Sequence, residues 1–109
     1  MGNERRRYPR YPFVASAELI EVSSQVHLST RVSEISQQGC YFDTINPFPP
    51  GASIKIKIAH ALVFFEAVGT VVYSQPHFGM GVKFNEIHPY FGKILEEWLL
   101  AARTSVSTK

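Results

Sequence analysis

The sequence predicts an all-β domain, an antiparallel barrel of about six strands closed or nearly closed on itself, with one helix at its end. Three observations carry this. Ile54-Lys-Ile-Lys-Ile58 alternates strictly, which in an extended chain puts every isoleucine on one face and both lysines on the other. Short runs rich in β-branched and aromatic residues recur from residue 14 to residue 85, divided by glycine, proline and asparagine. After Pro89 the period changes: Phe91, Ile94, Leu95, Trp98, Leu99 and Ala102 recur at three- and four-residue spacing, one apolar stripe along a helix. A closed sheet has no unpaired edge, which favours a barrel over an open sheet.

Taken in order, residues 1–12 are charged and contain Pro9 and Pro12. Proline lacks an amide donor and biases the residue before it toward extended geometry, so this stretch reads as a flexible, arginine-rich arm. Strands are expected over 14–23 and 26–35, then over 40–44 after a turn at Gln37–Gly39. Asn46-Pro-Phe-Pro-Pro-Gly51 is a loop by its prolines and glycine. A fourth strand holds 54–58 and a long fifth covers 62–74, closed by the turn Gln75-Pro-His77. The sixth covers 79–85, with Val82 and Phe84 on one face. Pro89 suits a first helical turn, and the helix should pack on the barrel or plug it. The expected division is an arm at 1–12, a barrel with its helix at 13–104 and a fraying tail at 105–109.

The net charge of +2 hides a local concentration. Arg5, Arg6, Arg7 and Arg10, offset by Glu4, give the first ten residues +3 and leave −1 for the remainder. Positive charge confined in this way argues for a site, not for a generally basic protein. Cys40 is the only cysteine, so an intrachain disulfide and a Cys-based zinc site are both excluded. The N-terminus has no apolar run behind its arginines, and the longest apolar stretches are far too short to span a bilayer. The expected compartment is the cytoplasm, without membrane insertion.

Catalysis finds little support. Asp43 is the one aspartate, and His27, His60, His77 and His88 share no metal-ligand spacing. Glycine elbows around serine, P-loops and dinucleotide fingerprints are all missing, so no enzyme and no resident metal or cofactor is expected. Two other segments carry chemistry. Arg5-Arg-Arg-Tyr-Pro-Arg10 sets planar, permanently charged donors on a stiff segment, suited to phosphate and to the O6/N7 edge of guanine; a solvated basic tail has the same composition. Glu34-Ile-Ser-Gln-Gln-Gly39 ends a strand so that Glu34 and Ser36 share one face and Ile35 takes the other. Gly39 would permit a positive φ and a close approach by a ligand. An ordinary turn in which Ser36 satisfies local backbone fits the same residues.

Together the two segments resemble the PilZ domain family. That family carries an RRxxxR stretch before its first strand, matched by Arg5, Arg6 and Arg10, and a [D/N]xSxxG turn, matched by Ser36 and Gly39 with Glu34 at its acidic or amide position. Gly69-Thr-Val-Val-Tyr73 and Gly79-Met-Gly-Val-Lys-Phe84 resemble its last two strands, so the likeness covers roughly residues 4–100. The resemblance implies a six-stranded antiparallel PilZ-type barrel with one C-terminal helix. It also implies a ligand, cyclic di-GMP, trapped by the arginine segment. Arg6 and Arg10 would engage guanine edges and phosphates, with Arg5 helping to hold the bases. Ser36 would hydrogen-bond the ligand, Gly39 would leave room for it, and Tyr73 would either stack on a base or pack in the barrel.

Glu34 departs from the family pattern. It keeps a carboxylate for guanine's N–H donors but is one methylene longer, and a misplaced charged hydrogen bond loses on the order of 1–3 kcal/mol. It can also reach back to the arginine segment and neutralise it. Three functions follow: a cyclic di-GMP receptor that signals to an unidentified effector protein, a degenerate PilZ adaptor that binds protein without nucleotide, and a nucleic-acid module. The slightly acidic remainder of the chain argues against the third.

Overall fold

The computed structural model describes residues 8–107, with side chains to Thr104. It comprises β1 (Tyr11–Glu21), β2 (His27–Ile35), β3 (Gly39–Asp43), β4 (Ser53–His60), β5 (Val63–Gln75), β6 (Gly79–Glu86) and α1 (Pro89–Ser107). The ladders are all antiparallel and the sheet closes in the order β1-β2-β3-β6-β5-β4. Closure is made by β4 pairing back to β1, from Ser16 opposite Ala59 to Glu21 opposite Ile54. The expected six-stranded barrel with a single C-terminal helix is therefore observed.

Three boundaries differ from expectation. The first strand starts at Tyr11, inside the expected arm, because Tyr11 and Pro12 pair with Ile35 and Glu34. Leu62 lies in a turn and not in a strand: Ala61 and Leu62 have φ of 51° and 67°, which turns β4 into β5 through two residues. Finally, α1 continues to Ser107, since no glycine or proline after Thr104 stops it.

The core follows the alternation. Ile54, Ile56 and Ile58 are buried while Lys55 and Lys57 are exposed, and β1 turns Phe13, Ala15, Ala17 and Leu19 inward. Leu19, Ile35, Phe42, Phe65 and Met80 are fully buried, each contributing about 1.5–3 kcal/mol from removal of its side chain from water. One end of the barrel is covered by α1. Its Trp98 ring lies 5.1 Å from Phe13, 5.9 Å from Phe65 and 5.8 Å from His60. The helix starts where the His88 carbonyl accepts the Phe91 and Gly92 amides and His88 Nδ1 accepts the Tyr90 amide at 3.1 Å. Toward the other end of β5, the proline-rich loop sends Phe48 into the core, and its carbonyl accepts the Ser74 hydroxyl.

Candidate functional site

The outer face of β2, β3, β6 and β5 carries a cavity of about 520 Å³ whose walls include Arg10, Glu34, Ser36, Gly39 and Tyr73. Arg5 and Arg6, expected beside them, lie outside the described residues.

Two of these side chains owe their direction to strand irregularities. Val32 and Ile35 are both fully buried although three residues apart, which strict period-two alternation forbids. The register against β3 shifts between Val32 and Glu34, and the shift leaves Glu34 on the outer face. In β5, Ala67 and Val71 point inward, and alternation would send Tyr73 after them. A second register shift, between Val71 and Tyr73 against β6, brings Tyr73 to the outer wall instead. Tyr73 is therefore kept out of the core and is half-buried on the outside of the barrel. The tyrosine ring lies over Gly81, where a Cβ would meet its Cζ at 2.5 Å.

Arg10 enters beside the end of β2 because Tyr11 pairs with Ile35. Its Nη1 donates to Glu34 Oε1 at 3.4 Å and to Tyr73 Oη at 3.3 Å. Both contacts are long, and the two charged side chains remain 32% and 47% exposed, so the pair is worth less than about 1 kcal/mol. Partial burial pulls the Arg10 pKa down, but the contacts to Tyr73 and Glu34 outweigh it and raise the pKa overall. The guanidinium is charged, and Glu34 does reach the arginine segment.

Ser36 and Gly39 act first on the turn itself. Ser36 Oγ accepts the amides of Gln38 and Gly39 at 3.2 and 3.1 Å and donates to the Gly39 carbonyl at 3.2 Å. The role expected for Gly39 needs correction on one point: its φ is not positive, and Gly51 is the glycine among the described residues that adopts one. Glycine is required at 39 because β3 crosses β6 so closely that a Cβ would sit 2.0 Å from the Val82 carbonyl oxygen. Cys40 is buried, which pushes its thiol pKa far above the ordinary value, so it is no thiolate nucleophile.

Tyr41 and Lys83 also line the cavity, and sequence reading missed both. The Tyr41 ring lies 6.2 Å from that of Tyr73 at 38°, and its hydroxyl donates to Gln75 Oε1. Burial, aided by the nearby Tyr73, Asp43 and Glu34, raises the Tyr41 pKa and keeps that hydroxyl protonated. A signal was present, because Tyr41 alternates with buried Cys40 and Phe42, and Lys83 with buried Val82 and Phe84. Among the described residues no group of three or more His, Cys, Asp or Glu side chains is placed to hold a metal ion.

A sequence model of the PilZ domain matches residues 4–101. The chain belongs to the PilZ domain family. Solved structures share its fold at low identity. The PilZ domain of YcgR from Escherichia coli, solved with c-di-GMP, is similar at 13% identity and a TM-score of 0.75, covering 94% of this chain and 95% of that one. The Inhibitor of motility (MotI/DgrA) of Bacillus subtilis is similar at 18% identity and a TM-score of 0.76; the match covers 98% of this chain and 55% of that protein. The PilZ domain of CeSA from a cellulose-synthesizing bacterium follows at 9% identity, a TM-score of 0.68, and coverage of 87% and 98%. No curated protein matches the chain. Among the described residues of this PilZ domain, no helix is long and apolar enough to cross a membrane.

Proposed function

We propose that this PilZ domain is a cytoplasmic receptor for cyclic di-GMP that passes the signal to a partner protein and is not an enzyme. The observation that carries the reading is the single cavity gathering Arg10, Glu34, Ser36, Gly39 and Tyr73 on one face of the barrel. Family membership supports it, as does the fold shared with the YcgR domain that was solved with c-di-GMP. The chemistry is suitable. Arg10 offers a planar fork to a guanine edge or a phosphate, with Arg5 and Arg6 adding charge from the same segment. Glu34 can accept guanine N–H donors, Ser36 can turn its hydroxyl to the ligand, and Tyr73, its ring laid over Gly81, presents a face for stacking. Ligand and Glu34 compete for Arg10, so binding exchanges an internal ion pair for an external one and repositions the arginine segment, the altered surface that an effector protein would read.

Calorimetric titration of the full chain with cyclic di-GMP, run beside Arg10→Ala, tests the proposal. Binding at about micromolar Kd or tighter, weakened at least about tenfold in the variant, is the expected result. The Arg10–Glu34 contact also favours a second reading, a PilZ adaptor that has closed its nucleotide site and binds protein alone. That reading holds if no heat develops and the NMR shifts of Arg10 and Ser36 stay unchanged on addition of ligand.

A further inference from the structure

Lys83 occupies the outer face of β6, in register with Gly39 on one side and Thr70 on the other. Its neighbours Val82 and Phe84 turn into the core, so its own side chain is left exposed, and it forms part of the cavity wall. Among the described residues its ammonium has no carboxylate within ion-pair distance. Arg10, the other cation on that wall among the described residues, is already engaged by Glu34 and Tyr73.

The layout separates the two cations. Gly81, under the Tyr73 ring, is the preceding outward position on β6, about 7 Å from Lys83 at the rise of an extended strand. Glu34, Tyr41, Gly81 and Tyr73 stand side by side across the four strands, and Lys83, opposite Gly39 and Thr70, stands in the next row, one outward position away from the Arg10–Glu34 pair. Charge points the same way. Arg10 and Lys83 against Glu34 leave one net positive charge on the described wall, whereas a cyclic dinucleotide carries two phosphodiester anions.

We infer that Lys83 is a phosphate-binding residue of this cavity: it holds one phosphodiester of the dinucleotide while Arg10 serves the other side. The inference rests on the receptor reading given above. It assigns to β6 a ligand contact outside both sequence motifs. A lysine suits the position because a compact ammonium on a flexible stem meets a phosphate as a point charge and needs no fixed fork geometry.

The test is calorimetric titration of the full chain with cyclic di-GMP, at about 50 mM and about 500 mM NaCl, where exposed charges are respectively little and strongly screened. Wild type is compared with Lys83→Ala, Lys83→Gln, Lys83→Arg and, as a control on the far strand β4, Lys55→Ala. Lys83→Ala and Lys83→Gln should each bind about tenfold more weakly at low salt, with the gap closing at high salt. Lys83→Arg should stay within about twofold of wild type, and Lys55→Ala should not differ from it. Circular dichroism checks that the exposed substitutions leave the barrel folded. Wild-type affinity in Lys83→Ala overturns the inference and leaves the receptor reading standing. Retention in Lys83→Gln overturns the phosphate assignment, because an amide keeps a hydrogen-bond donor and loses the charge. If the wild type takes up no cyclic di-GMP while remaining folded, the receptor reading fails and this inference fails with it.

Discussion

On the receptor reading proposed above, Glu34 is asked to do two things at one carboxylate: accept donors from a guanine edge and hold Arg10 at 3.4 Å. The second weakens the first, because each contact occupies lone pairs and charge that the other needs. Shortening the side chain by one methylene draws the carboxylate back toward the β2 ladder, out of reach of Arg10, and removes one torsion to be frozen. Glu34→Asp should therefore lower the Kd for cyclic di-GMP by about tenfold, a gain near 1.4 kcal/mol. Titration of the variant under identical salt decides this; unchanged or poorer affinity sinks the account. At this scale the sequence was informative about which residues meet and less so about why. Arg10, Ser36 and Gly39, singled out by two separate motifs, all line one cavity. Gly39, read as a residue needing φ freedom, is instead a close-packing residue whose constraint comes from the Val82 carbonyl forty-three positions later in the chain, a contact that no local pattern encodes.

Elements were legible where side chains alternate and illegible where the backbone breaks its own rule. Ile54–Ile58 alternates in the sequence and in the barrel. The bulges that turn Glu34 and Tyr73 outward leave no mark on composition, since an inserted residue is visible only once a partner strand sets the register. The β4–β5 turn hid for another reason. Two-residue hairpins of type I′ need positive φ at both central positions and usually advertise it with Asn-Gly or Asp-Gly. Here Ala61 and Leu62 take φ of 51° and 67°, and Leu62 is 96% exposed. Side chains with a Cβ cost about 1–2 kcal/mol each in that region, and the exposed Leu62 gains nothing from packing in return. Replacing Ala61→Asn and Leu62→Gly together should stabilise the hairpin by about 1 kcal/mol net of glycine's entropy and raise Tm by about 4–8 °C. Thermal melts of the double variant would show it; a lower Tm would mean that something holds this turn by its side chains. Cyclic di-GMP affinity should not move, because neither residue lines the cavity.

The strand order β1-β2-β3-β6-β5-β4 sets β3 against β6 and carries the chain across the barrel between β3 and β4, a choice of global closure that no strand's own pattern announces. The helix was readable because its stripe is periodic; its seat was not, because Phe13, His60 and Phe65 come from three different strands. That seat ties the two ends of the sequence together. Trp98 is 7% exposed and packs against Phe13, three residues after Arg10 on the strand that delivers the arginine to the cavity. Truncating it leaves a hole between helix and barrel that neither rigid sheet nor helix can collapse to fill. Trp98→Ala should cost about 3–5 kcal/mol, a large share of the roughly 5–15 kcal/mol available to a domain of this size. Urea unfolding should then show a lower midpoint with an unchanged slope, the mark of a stability change without loss of cooperativity. If only the seat of β1 is loosened, affinity for cyclic di-GMP should fall in the fraction that remains folded, with Trp98→Phe restoring most of both properties. A shallower slope instead would mean that α1 undocks as a separate unit and that the closed barrel holds without its plug.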